Sequence, residues 1–400
     1  MKYFYISFCV YIIISKLFVN PEGSVTGSFK ASSAAYIVAI ISLAFVAIIN
    51  VKHIKSTLKT SLHFFSALPL CYYTLALLMA PISLIPVISI FNSLLALGFV
   101  LVGISIGQFI NRFPLEKKLS LFYNLVRVIL YSEIVGKIIS QYMYVSSFSI
   151  FNLQGGYIAV LSIFLGLWHL IEYYENRRFK GLVYFILYFI LTWQLHSFSA
   201  FLAFYAALVI IFYFRRKLVI ATLLGLAPFL TLSLIIAYLN ANLDQVIFGK
   251  SAGAYLIGSG RFQIYWASLD AYSNLDLFRQ ILGVGYMSER DILAGYDLSW
   301  SIDSHNSFLV SLLGMGFIGA SLYLFFVGIP YFKRKKVTLN VGRTIFIKWI
   351  AMHTLFFIYG ITSSSYMARP SILVFLYIVF AYIVFCPQTP QKQSRLDLNG

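Results

Sequence analysis

The basic residues of this chain gather in every second gap between its long apolar runs, and that alternation restricts the possible folds more than any other feature. Runs of at least about 17 apolar residues are long enough to cross a bilayer as helices. About twelve are present, near 3–19, 31–50, 62–80, 84–110, 119–140, 157–174, 181–197, 198–214, 217–239, 306–331, 344–361 and 371–386. The linkers after the second, fourth, sixth, eighth and tenth runs read "VKHIKSTLKT", "NRFPLEKK", "ENRRFKG", "RRK" and "KRKKVTLNVGR". The opposite gaps hold only Lys30, Lys250, Arg261, Arg279, Arg290 and Arg369. Lys and Arg are retained on the cytoplasmic side of a membrane, so the basic linkers and both termini are predicted to lie there. With 60% of residues hydrophobic and 11% charged, a soluble domain of this length would lack polar surface. The predicted class is an all-α polytopic membrane protein.

This layout divides the chain into helices over 1–239, a long outer loop over 240–305, helices over 306–386 and a cytoplasmic tail over 387–400. The first run lacks a small-residue cleavage site, and the alternation needs it as a span rather than a signal peptide. The prolines near the fourth run predict a broken helix there. The net charge of +17 sets orientation and is no footprint of nucleic acid. Cys9, Cys71 and Cys386 sit in apolar runs with no CxxC or Cys/His cluster, which argues against a disulfide framework and a structural zinc. No cofactor is expected.

Seven acidic residues lie in the outer loop: Asp244, Asp270, Asp276, Glu289, Asp291, Asp297 and Asp303. They are scattered, with no Asp-x-Asp pair to grip a metal. Within "GSGRFQIYWASLDAYSNLD" the glycines lead into a helix whose Phe262, Trp266, Leu269 and Tyr272 are expected on one face, lying in the headgroup layer. Arg261 falls in the first turn, where free N–H groups already favour an anion, and its guanidinium adds a fork suited to phosphate. A snorkelling arginine that anchors an interfacial helix is the other reading. Arg279 and Arg290 are further cations in the same loop. "SHNSFLVSLLGMGFIGAS" then opens a span at the outer interface. His305 can take a proton near neutral pH, Asn306 can bond sugar hydroxyls, and Gly314, Gly316 and Gly319 predict close approach by a neighbouring helix. A capped span with an interfacial histidine is the plainer alternative.

"SHNSFLVSLLGMGFIGASLYLF", preceded by "GRFQIYW" and "ILGVGY", resembles the O-antigen polymerase and O-antigen ligase superfamily. The spacing His305, Asn306, Gly316, Gly319 fits that family's hallmark over residues 250–330. The resemblance implies a GT-C-like architecture and a metal-independent, inverting glycosyltransferase working on undecaprenyl-pyrophosphate-linked sugars at the periplasmic face of a bacterial inner membrane. His305 would be the base for the acceptor hydroxyl and Arg261 would hold the donor pyrophosphate, with Asn306 contacting substrate. A flippase and a chain-length regulator would be partners. Many relatives carry a second cation at the outer end of a mid-chain helix, where this chain has Ser197 and Phe198. Arg127, Lys137 (with Glu133 one turn before it) and Arg369 are the candidates to replace it, and His196 is a possible lining residue. Charges inside a span cost on the order of 2.5–3.5 kcal/mol and are rarely idle. Polymerase is the favoured activity, ligase the runner-up within the family, and a transporter or lipid flippase the alternative from another class.

Overall fold

The computed structural model describes residues 64–144, 156–195, 197–226, 246–247, 250–251, 261–296, 304–332, 342–363 and 366–385. The predicted runs at 3–19 and 31–50, His196 and most of 217–239 lie outside these. Within them the chain is helical: α1 Phe64–Met79, α2 Pro86–Asn111, α3 Leu115–Tyr144, α4 Gly156–Asn176, α5 Phe179–Gln194, α6 Phe198–Phe214, α7 Arg261–Ser273, α8 Leu277–Leu282, α9 Glu289–Leu293, α10 Ser307–Phe332, α11 Arg343–Ser363 and α12 Ile372–Phe385. A two-residue antiparallel ladder, Val246–Ile247 with Lys250–Ser251, is the one exception. Five helices are long and apolar enough to cross a membrane, namely α2, α3 over Leu115–Ile139, α4, α10 and α11. Shorter apolar helices at α1, α5, α6 and α12 join them, so this is a multi-pass membrane protein.

The proline-broken span is corrected. Pro81 sits in a short 3-10 turn, Ala80–Ile82, and Pro86 is the first residue of α2. Proline has no N–H to lose in a first turn, so α2 runs unbroken for 26 residues.

α12 is the hub of the bundle. All its residues are buried, and it packs against α1, α2, α3 and α11. Gly103 and Gly107, four residues apart on α2, let it come close: a methyl at Gly107 would stand 2.8 Å from the Tyr382 ring. Phe122 of α3 stacks on Phe380 at 4.5 Å between ring centres.

Among the described residues, the basic linkers after α4 and α6 and the start of α11 share one end of the bundle, tied together across helices. Arg215 pairs with Glu175 at 2.6 Å, Lys348 with Glu172 at 3.0 Å, and the Arg343 Nε donates to the Phe214 carbonyl at 3.0 Å. Arg343 thereby satisfies the last carbonyl of α6, as a helix C-terminus favours.

α10 carries the other correction. It is broken at Gly316 (φ 64°, ψ −161°), and the glycines near the break face the segment 281–287 rather than a neighbouring membrane-crossing helix. A methyl on Gly316 would meet the Ile281 carbonyl oxygen at 2.3 Å, and one on Gly283 would meet the Gly314 backbone at 2.4 Å. The strap Gly283–Gly285 lies in the break: Val284 N donates to Leu313 O and Gly285 N to Gly314 O, both at 2.9 Å. Leu84 N closes the other side on Val284 O at 2.8 Å. Irregular backbone in a membrane protein must find such partners inside the protein.

Candidate functional site

The end of the bundle opposite the basic linkers gathers the start of α7, the entrance of α10, the first turn of α6 and the end of α11. Arg261 opens α7, as its glycine-rich approach predicts. Its Nη1 donates to Ser199 Oγ at 3.3 Å, while its Nε is buried and makes no hydrogen bond among the described residues. One turn along, Tyr265 donates its hydroxyl to the Ile361 carbonyl at 3.3 Å and stands beside Asn306. Burial pushes the Tyr265 phenol up, against the opposing pull of the Arg261 charge and the Asn306 side chain. Arg261 also acts electrostatically on Tyr359 of α11, as does the buried Glu133 of α3.

At the entrance of α10, Asn306 caps the helix, its Oδ1 accepting from Phe308 N at 2.9 Å and Leu309 N at 3.3 Å. This is the ordinary work of an amide at an N-cap. His305 immediately before it is half-buried and has φ 47°. Left-handed backbone costs a non-glycine residue on the order of 1 kcal/mol or more and collects at functional sites. Ser304 is fully buried, and its hydroxyl makes no hydrogen bond among the described residues. The entrance therefore holds an imidazole, an amide and a buried hydroxyl beside a guanidinium with a donor unspent.

The helical stripe expected on α7 splits. Ile264, Ala267, Ser268 and Ala271 are the buried face, and Tyr272 turns inward to donate to the Gln280 carbonyl at 2.9 Å. Trp266 and Leu269 point outward, continuing with Leu277, Phe278 and Ile281 of α8 into an exposed apolar strip. A strip of that kind suits contact with a lipid headgroup layer. Three of the four buried residues are small, which suits the packing of α7 against α10.

The remaining predicted cations separate. Arg369 Nη2 donates to Glu289 Oε1 at 3.0 Å in a buried ion pair, beneath Tyr73, whose hydroxyl donates to the Met367 carbonyl at 2.7 Å. That pair ties α9 to the approach to α12. Arg279 is exposed, 3.7 Å from Asp276 on its own helix, and Arg290 is exposed on α9. Lys137 is half-buried near the far end of α3. Arg127 lies ten residues back, about 15 Å at 1.5 Å per residue, among Tyr123 and Tyr131 toward the basic end. Ser197 caps α6, accepting from Ala200 N at 3.4 Å. Tyr265 and Ser199 were missed from sequence; Tyr265's spacing of one turn from Arg261 is the signal that could have found it. Among the described residues no group of three or more His, Cys, Asp or Glu side chains is placed to hold a metal ion.

No protein-family model matches this chain, and no curated protein aligns with it significantly.

Proposed function

We propose that the chain is a polymerase of lipid-linked oligosaccharide repeat units, joining undecaprenyl-pyrophosphate-linked glycans at the periplasmic face of a bacterial inner membrane. The observation that carries this reading is the meeting of Arg261 and His305–Asn306 at one end of the bundle, bridged by Tyr265. Nothing in the sequence spacing required the start of α7 to reach the entrance of α10. In the proposed reaction His305 takes the proton of an acceptor sugar hydroxyl, whose oxygen attacks the donor's anomeric carbon from the face opposite the leaving group. The bond from that carbon to the pyrophosphate oxygen breaks, with inversion. Arg261 receives the charge that develops on the departing pyrophosphate. Its buried Nε and the free N–H groups of the first turn of α7 give that charge several donors. The exposed strip of α7 and α8 would hold this end in the headgroups, where a polyprenyl carrier presents its pyrophosphate.

The test is carrier-linked glycan sizing in a deletion strain complemented with variants. His305→Ala should abolish long polymer, since loss of a general base costs about 10²–10⁴ in rate. Arg261→Lys should be nearly as damaging, because a point charge does not reproduce the fork. Long polymer on the carrier in the deletion strain would instead assign the chain as a ligase. Single units held on the cytoplasmic leaflet would assign it as a transporter. Normal ladders from both variants would reduce His305 and Arg261 to structural roles.

A further inference from the structure

A second polar feature lies far from that entrance, between α3, α4 and α5 near the end that carries the basic linkers. It is a half-open cavity of about 350 Å³ with Arg127, Arg178 and Lys180 among its lining residues and tyrosine rings for walls. Arg127 projects from the middle of a membrane-crossing helix and stands 5.6 Å from the ring centres of both Tyr123 and Tyr131. Its side-chain hydrogen bond is a long one, Nη2 to the Tyr131 hydroxyl at 3.4 Å, and its Nε is buried with no hydrogen bond among the described residues. Helix side chains lean toward the N-terminus, which directs Arg127 along α3 toward Arg178 and Lys180. The cavity's one carboxylate is already engaged: Glu172 Oε1 accepts from Lys348 Nζ at 3.0 Å and from Trp168 Nε1 at 2.7 Å. His169 on the floor is spent on the Tyr123 hydroxyl at 2.7 Å. What stays open is a guanidinium fork with two further cations at the rim.

We propose that this cavity holds the phosphate group of an anionic lipid. A forked donor with lysine and arginine nearby is the chemistry of a phosphate site, and basic pockets between spans at the charged end of a bundle bind lipid headgroups. The tail has a path as well. Tyr131 and Val135 are exposed one and two turns beyond Arg127 on the same face of α3, giving an acyl chain an apolar lane leading out of the cavity. A free phosphate ion would leave that lane unused. This site is independent of the glycan chemistry proposed above, and neither proposal needs the other.

The test is native mass spectrometry of the full-length protein in detergent, with phosphatidylglycerol and phosphatidylcholine supplied at equal concentration. Phosphatidylglycerol should be retained at least about tenfold better. Arg127→Gln and, separately, Lys180→Gln should reduce that preference severalfold, whereas Arg127→Lys should keep part of it. Lys180 is exposed, so its variant tests the site even if Arg127→Gln fails to fold. Lys217→Gln, which removes the same charge from an exposed linker position outside the cavity, should leave the preference unchanged. Equal retention of the two lipids overturns the proposal. So does a loss in Lys217→Gln as large as in Lys180→Gln, which would make the effect one of bulk charge. Displacement of the lipid by millimolar inorganic phosphate with no dependence on chain length would overturn the lipid assignment.

Discussion

Arg369 separates a structural reading from a catalytic one, because its predicted role as a substrate cation and its observed place in a buried ion pair give opposite results on mutation. The pair joins Arg369 Nη2 to Glu289 Oε1 at 3.0 Å, with the arginine side chain 13% exposed and the glutamate 0%. Removing one partner leaves the other charge buried without its counter-ion, which destabilises a protein by about 3–5 kcal/mol. Replacing both by leucine removes both desolvation penalties and is often neutral. Glu289→Ala and Arg369→Ala should therefore each lower the thermal unfolding midpoint of the detergent-solubilised protein by on the order of 4–6 °C. The double substitution Glu289→Leu with Arg369→Leu should recover most of that loss. In a double-mutant cycle the coupling should reach several kcal/mol, well outside the additivity of distant sites, about 0.3–0.5 kcal/mol. An Arg369→Ala protein whose midpoint is unmoved while its polymer disappears would refute this reasoning and return Arg369 to the substrate.

Three other outcomes follow from particular contacts. Gly316→Ala should destabilise by roughly 2–4 kcal/mol, from overpacking against the Ile281 carbonyl and from its left-handed φ, and a midpoint within 1 °C of the parent on the order-of-magnitude scale used above would mean the strap is not seated in the break. Burial pushes the phenols of Tyr286 and Tyr366 well above their ordinary value of 10.0. Each then contributes stability that is complete below the unfolded pKa and lost as pH rises above it, by at most about 1.4 kcal/mol per pH unit. The midpoint should fall with rising pH above about 10, and Tyr286→Phe should make that fall shallower; an unchanged slope would count against it. Cysteines placed at Asp297 and Lys335 should label from opposite sides of the membrane; labelling from one side would sink the orientation and the periplasmic placement of the proposed site.

The apolar runs and the sorted charges were legible in the sequence because both are local. A helix rises by a constant amount per residue and a bilayer has a set thickness, so a long apolar run such as 84–110 declares itself as a helix without reference to its neighbours. Arg261 at a helix start was legible for the same reason, since the signals that start a helix act within one turn. Tertiary structure alone decided which of these local features meet. The glycines of "GMGFIG" advertised close approach, yet only the folded chain shows that the strap Gly283–Gly285, and not a helix, uses them. Gly103 and Gly107 are a visible small-residue pair whose partner, α12, lies far along the chain. Arg127 and Arg369 looked interchangeable as stray cations, and packing sent one to an aromatic cavity and the other to Glu289. A residue's pattern encodes its distance from water, but its partner depends on which distant backbones come within a few ångströms of each other, and no local periodicity carries that distance.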